Sequence, residues 1–222
     1  MSMEKATPIR ILLADDHKLV REGLRSILEN ELHMAVIGQA ESGRAIIDLA
    51  RTLKPDVVIM DISMPDLNGI EATRQIVAEL AGVRIIALSM HSDKRYVSEM
   101  LSAGASGYLL KHSAVDELEL AIRTVLANKI YVSPDIAGIV VQDYLQHLAS
   151  AGAARPSQLT SREREILQLI AEGRSTKDIA AMLHVSIPTI DTHKQHIMEK
   201  LDLHSVAELT KYAVRAGLTS LE

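Results

Sequence analysis

The chain of 222 residues has no cysteine, no phenylalanine and no tryptophan. Without thiols it has no disulfides, thiolate metal sites or thiol catalysis, which fits a reducing compartment. With five Tyr as its only aromatic residues, it lacks the stacking platforms on which single-stranded nucleic acids are held. No apolar run approaches the roughly 18 residues that span a bilayer, and the opening MSMEKATPIR carries no apolar signal region. The expectation is a cytoplasmic protein with no membrane partner.

A strong excess of one charge is also missing, the formal net charge being -5. It is unevenly placed: residues 1–150 hold 15 Lys and Arg against 20 Asp and Glu, and residues 151–222 hold nine of each. The C-terminal part is the less acidic one, yet it is not basic enough to announce a DNA binder unaided.

What is present is an alternation of short apolar runs with helical periods over the first 130 residues, the pattern of a parallel sheet covered on both faces. Strands are expected at 9–14, 34–39, 57–60, 83–88 and 107–110. Helical periods such as Leu19, Leu24, Ile27 and Leu28, then Ile46, Ile47, Leu49 and Ala50, lie between them. The fold class is α/β, a five-stranded, doubly wound parallel sheet of flavodoxin-like type. Beyond Ile130 the pattern changes: Ser133-Pro134 opens a helix with Ile136, Ile139, Val140, Tyr144 and Leu148 on one face, and a small-residue tether, Ala149 to Pro156, follows. The divisions expected are 8–128 for the α/β domain, 129–156 for linker helix and tether, and 157–222 for a small all-α domain of four helices.

In such a sheet ligands sit beyond the carboxyl ends of the strands. Strand one ends in Asp15-Asp16 and strand three in Asp61. Three converging carboxylates repel, and either a proton or a hard divalent cation such as Mg²⁺ relieves them; at neutral pH the cation is the more useful reading. Strand four ends at Ser89 and strand five at Lys111, which adds a hydroxyl and an ammonium at the same rim. The five groups suit a phosphoryl group attacked by a carboxylate. Singly, each residue has a plainer reading as helix cap, turn or surface charge; His17 beside the acidic pair reads as a helix-start residue, since no second His stands at ligand spacing.

These residues resemble the receiver domain of response regulators across about 9–127. The resemblance implies that Asp61 is the phosphoacceptor, that Asp16, Asp61 and the backbone carbonyl of Ser63 ligate Mg²⁺ with Asp15 one step further out, and that Ser89, Lys111 and Tyr108 bind phosphate and carry the switch. Met64-Pro65-Asp66 and Asn68-Gly69 match the turn after the acceptor, where Pro fixes φ and Gly permits a tight bend. His112 departs from the family, many members of which have Pro after the lysine.

In the last part, Thr160-x-x-Glu163 is a capping-box pattern, followed by Ile166, Leu167, Leu169 and Ile170 until Gly173 ends the helix. Ser175 and Ser186 can cap two further helices, Pro188 is tolerated in a first turn, and Ser205 to Val214 forms a fourth. Two helices separated by His184-Val185 make a helix-turn-helix. The segment 158–218 resembles the LuxR-type helix-turn-helix of the NarL/FixJ subfamily through Leu159-Thr160, Arg162-Glu163, Gly173, Ile179-Ala180, Val185-Ser186, Thr189-Ile190, His193 and Lys200-Leu201. The resemblance places Thr192, Lys194 and Gln195 at or near DNA, with Thr189 and Lys200 as further candidates, and gives the final helix a role in dimers. Asp191 stands where many relatives have a basic residue.

The function expected is that of a two-component response regulator, not an enzyme: a sensor histidine kinase phosphorylates Asp61 with Mg²⁺, and the active homodimer binds double-stranded DNA. The alternative is an unphosphorylated interaction module with constitutive DNA binding. A phosphatase using an aspartyl phosphate would need a second Asp two residues after the nucleophile, and that place holds Ser63.

Overall fold

A computed structural model of the chain describes residues 8–90, 93–112, 115–149 and 159–219. Alternating elements run β1 (Arg10–Ala14), α1 (Lys18–Ser26), β2 (Ala35–Ala40), α2 (Gly43–Leu53), β3 (Val57–Asp61), α3 (Gly69–Glu79), β4 (Arg84–Ser89), α4 (Lys94–Ser102), β5 (Gly107–Leu110), α5 (Val115–Leu126) and β6 (Tyr131–Val132). The linker helix is α6 (Pro134–Ala149), and the C-terminal helices are α7 (Ser161–Ala171), α8 (Thr176–Met182), α9 (Ile187–Leu201) and α10 (Val206–Arg215).

All strand pairs are parallel, in the order β2-β1-β3-β4-β5-β6. The sixth strand is the one departure from a five-stranded sheet. Two residues extend the edge beside β5, where the return from α5 brings extended chain against Gly107 and Tyr108. Side chains alternate between the sheet's faces. Leu12, Val58, Met60, Ile85 and Tyr108 pack toward α2, α3, α4 and Ile136 of α6. Ile11, Leu13, Val57, Ile59, Ile86 and Leu109 pack toward Leu28 and α5. Leu19 leaves the helical stripe in which periodicity places it: it is 87% exposed, while Leu28, in a π-helical turn after α1, enters the core.

The order 2-1-3 puts the reversal of winding between β1 and β3, so the crevice at their carboxyl ends is where the topology opens a site. Residues 150–158, which include all of the tether but Ala149, lie outside the described residues, as do the side chains of Tyr144 and Leu148.

The C-terminal helices start where their caps dictate. Thr160 closes the capping box with Glu163, and Ser175, Ser186 and Ser205 each accept an N–H three residues on. Gly173, at φ +78°, ends α7 in a Schellman turn: its N–H donates to Ile170 and that of Arg174 to Leu169. His184, at φ +53°, does the same for α8, placing α9 across it. Ile166, Leu169, Ile179, Ile190, Ile197 and Leu209 form the small core.

Glu163 serves twice, since its carboxylate also takes Lys200 Nζ at 2.7 Å and 2.8 Å. Burial pushes its pKa up, but the hydrogen bonds from Lys200 and Thr160 outweigh burial and leave it below the usual carboxylate range. Glu163→Ala is expected to cost the C-terminal domain about 1–2 kcal/mol at pH 7, the scale of a lost cap, read by thermal denaturation. Because the folded pKa is depressed, the contribution is present above the unfolded pKa and is lost as pH falls through the folded one. A variant deficit unchanged on acidification would refute the assignment.

Candidate functional site at the strand ends and the domain interface

Five side chains meet at the carboxyl edge of the sheet. Asp15 and Asp61 are almost fully buried, and Lys111 Nζ bridges them, 2.7 Å from Asp15 Oδ2 and 2.8 Å from Asp61 Oδ2. Asp61 Oδ1 accepts the N–H of Ser63 at 3.4 Å, and Asp15 Oδ1 accepts that of His17 at 2.8 Å. His17 Nδ1 lies 2.7 Å from Asp16 Oδ1. Asp15, Asp16, His17 and Asp61 each bring one ligand-type atom within 4.8 Å of the others. The sequence thus puts all three acidic residues and Lys111 in one place, and adds His17 to their edge.

Burial is the largest influence on Asp61 and raises its pKa above the usual value, with Lys111 opposing. Burial works against the Lys111 charge too, but the hydrogen bonds it donates to Asp15 and Asp61 outweigh it and raise the ammonium's pKa. Ser89 at the end of β4 and Tyr108 on β5 are buried beside them. Burial pushes the Tyr108 phenol up to about 12, and its hydroxyl is hydrogen-bonded to Ser89.

The loop after β3 is held tightly. Leu67 N–H donates to the Pro65 carbonyl at 2.8 Å across Asp66, which sits at φ +65°, so the bend that sequence reading assigns to Gly69 falls on Asp66 instead. Gly69 is required for another reason: a Cβ there would lie 2.0 Å from the Asp61 carbonyl oxygen.

Sequence reading missed the partner of this loop, the C-terminal domain. Gln168 of α7, 1% exposed, accepts the Asn68 N–H at 3.0 Å and donates to the Met64 carbonyl at 3.2 Å. Asn68 Nδ2 donates to the Leu218 carbonyl at 3.3 Å, and Arg174 reaches Asp66 at 3.3 Å. Arg164 pairs with buried Glu71 at the start of α3, and Arg44 of α2 pairs with Glu165 at 2.5 Å. Gly217, at φ +70°, abuts the Tyr96 ring, 2.5 Å from where its Cβ would be. A signal was available: Ile166, Leu167, Leu169 and Ile170 leave α7 apolar on more than one side, and such a helix is covered all round.

The candidate DNA residues lie on α9 away from this contact. Thr192 and Gln195 are exposed, and Thr189 and Lys194 are half-exposed. Thr192 Oγ1 donates back to the Pro188 carbonyl, and Gln195 donates to Glu199. Lys200, exposed, pairs with Glu163. Docking therefore covers α7 and the end of α10, and leaves the outer face of α9 open.

This geometry agrees with the comparisons. The description "Response regulator receiver domain" matches residues 11–123, and "Bacterial regulatory proteins, luxR family" matches residues 157–213. The chain belongs to the two-component response regulators that join a receiver to a LuxR-type DNA-binding domain. It is 38% identical over 215 residues to the response regulator UvrY of Escherichia coli K12, covering 96% of this chain and 97% of that one. It is 39% identical over 214 residues to the oxygen regulatory protein NreC of Staphylococcus haemolyticus, covering 95% and 99%. Among solved structures, a LuxR-family response regulator from Aurantimonas sp. SI85-9A1 superposes with TM-score 0.59 at 38% identity, covering 63% of this chain and 99% of that one. The response regulator RcsB in complex with DNA superposes with TM-score 0.57 at 28% identity, covering 93% and 98%. The relatives are transcriptional regulators, and among the described residues no helix is long and apolar enough to cross a membrane.

Proposed function

We propose that Asp61 accepts a phosphoryl group from a sensor histidine kinase in the cytoplasm, and that the acyl phosphate raises the affinity of α9 for double-stranded DNA in a homodimer, the chain itself being no enzyme. The observation carrying this reading is the buried Asp15, Asp61 and Lys111 arrangement with Asp16 at its edge. The donor set fits Mg²⁺: the carboxylates are hard oxygen ligands, and Asp15, Asp16 and Asp61 bring oxygens within 4.8 Å of one another. Asp16, Asp61 and the Ser63 carbonyl would hold the ion, with Asp15 behind them. When bound it neutralises phosphate oxygens.

The chain's residues do the rest. Asp61 Oδ attacks phosphorus in line as the leaving group departs, and Lys111 turns from the carboxylates to the new phosphate oxygens. Ser89 exchanges its bond with Tyr108 for one to the phosphoryl group, which frees the phenol to repack. The loop after β3, gripped by Gln168, is the route to the C-terminal domain.

The test is DNA affinity before and after acetyl phosphate with Mg²⁺, for the native chain and Asp61→Asn. A rise confined to the native chain supports the reading; equal and unresponsive binding would leave only a constitutive DNA binder.

For the DNA face, Gln195→Ala is expected to cost about 1–3 kcal/mol at cognate sites, the scale of one bidentate pairing with adenine, and Thr192→Ala less. Lys194→Ala should weaken all sequences alike and lower the salt slope by about 1. Fluorescence anisotropy at two salt concentrations separates these effects, and a Gln195 variant that loses nothing at the cognate site overturns its assignment.

A further inference from the structure

The cleft over Asp61, of about 580 Å³, is built by both domains. Asp16, Asp61 and Lys111 form its floor, while Glu172, Arg174 and Leu218 of the C-terminal domain form the opposite wall. Its mouth takes in His17 before α1, 61% exposed, and Met90 after β4, 69% exposed. Gln168, Glu172 and Leu218 are fastened to the backbone and side chains of the loop that follows the acceptor, so the wall stands where an approaching macromolecule would need to sit. A protein carrying a phosphohistidine needs a contact of standard size, about 800 Å² on each partner. A two-carbon acyl phosphate needs only the mouth, and clefts of about 300–1,000 Å³ hold molecules far larger than that.

We propose that the docked C-terminal domain is a lid that selects the phosphodonor: closed, it admits a small acyl phosphate to Asp61, and it must swing away before a phosphohistidine borne on a protein reaches the same carboxylate. The inference rests on Asp61 being the acceptor. With acetyl phosphate, the new bond joins Asp61 Oδ to phosphorus, the bond from phosphorus to the acetyl oxygen breaks, and acetate leaves with that electron pair. With a protein donor the phosphorus–nitrogen bond breaks, and the imidazole takes a proton from water. The lid is suited to opening because its lock is polar and incompletely satisfied. Glu71 Oε2 and Arg74 Nη1, beside the Arg164 pair, have no hydrogen-bond partner, and Glu99, half-buried next to them, is raised in pKa, chiefly by burial. Interfaces of this kind between domains permit motion.

The chain has no cysteine, so a pair introduced as Asp66→Cys and Arg174→Cys, at the two ends of an ion pair that now spans the lid edge, can lock it through a short bis-maleimide crosslinker, which covers the reach of an arginine side chain where a disulfide does not. Arg164→Ala, which strands buried Glu71, opens it. Phosphoryl uptake is measured from acetyl phosphate and from phosphorylated histidine domains of a panel of sensor kinases, using the one that labels the uncrosslinked chain fastest. The expected result is that crosslinking, verified by mass, slows the protein donor at least about tenfold and acetyl phosphate less than about threefold, and that Arg164→Ala speeds the protein donor alone, as a shift in the open population requires. Equal slowing of both donors, slowing of neither, or no transfer from any protein donor to the uncrosslinked chain overturns the lid. Absence of labelling from acetyl phosphate in every chain instead removes the acceptor assignment, and the lid with it.

Discussion

Asp61→Asn is expected to abolish phosphoryl uptake and, at the same time, to make the resting chain more stable. Uptake falls to background because no other carboxylate stands at the end of β3 opposite Lys111, and the phosphodonor-dependent gain in DNA affinity, about 5- to 150-fold for a coupling of ordinary size, falls with it. The stability gain follows from the raised pKa of Asp61, whose largest cause is burial. A carboxyl with a folded pKa above its unfolded value binds its proton more tightly in the folded state. Stability therefore declines as pH rises through the interval between the two values, and the deficit is complete above the folded one. Asn carries no charge to desolvate, and Lys111 keeps its pair with Asp15. At pH 7, with chelator present, the variant should gain roughly 1 kcal/mol, the scale of one poorly compensated buried polar group. The gain should vanish below about pH 4, where the native carboxyl is protonated too. Added Mg²⁺ should narrow the gap, since it binds the native folded state more tightly and stabilises by mass action. Thermal denaturation at the two pH values decides the matter: a variant less stable than the native chain at pH 7 contradicts the account.

The receiver was legible in the sequence because its chemistry is local to strand ends. Asp15, Asp16, Asp61, Ser89 and Lys111 each follow an apolar run, and the topology alone brings them together. The helix starts were legible for a similar reason, a cap and its acceptor lying three residues apart, as at Thr160 and Ser186. The domain contact was not legible, because it pairs residues 93 to 150 positions apart through side chains that each have a bland local meaning. Glu71 reads as an acidic residue in a helix's first turn, Arg164 as a solvated charge and Gln168 as a polar break in an apolar run. Only the apolar flanks of Gln168 hinted that α7 has no free face. Lys200 carries two meanings at once: a cation on the DNA-reading helix suggests phosphate, while the fold also sets this exposed ammonium against Glu163 of α7. Periodicity alone could not weigh a partner 37 residues away in sequence.

Gly69→Ala is expected to damage the fold and the site together, because one backbone contact serves both. Gly69 opens α3, where its N–H donates to the Ile62 carbonyl at 2.9 Å. A Cβ at this position would stand 2.0 Å from the Asp61 carbonyl oxygen, 2.9 Å from its carbon and 3.0 Å from Met60 Cγ. The first two are backbone atoms of β3 and cannot step aside as a side chain could. The backbone of Gly69 is not in the left-handed region, so the cost is wholly steric, about 2–3 kcal/mol for a forced overpacking. The strand end must move away from α3, and Asp61 moves with it relative to Lys111. A displacement near 1 Å costs about a hundredfold in a reaction that depends on alignment, so uptake from acetyl phosphate should fall by roughly that factor. Gly138→Ala in α6 is the control: nothing beyond its chain neighbours and its own helix backbone lies within 4 Å of its Cβ, and the change should add about 0.5–1 kcal/mol of helix stability without affecting uptake. Asn68, the cap immediately before Gly69, is the residue Gln168 holds. The same displacement should therefore loosen docking and raise the rate of proteolysis in the tether. A Gly69→Ala chain that takes up phosphate at the native rate would show that the acceptor is not set by the start of α3, and the proposed path from Asp61 through this turn to the C-terminal domain would fail with it.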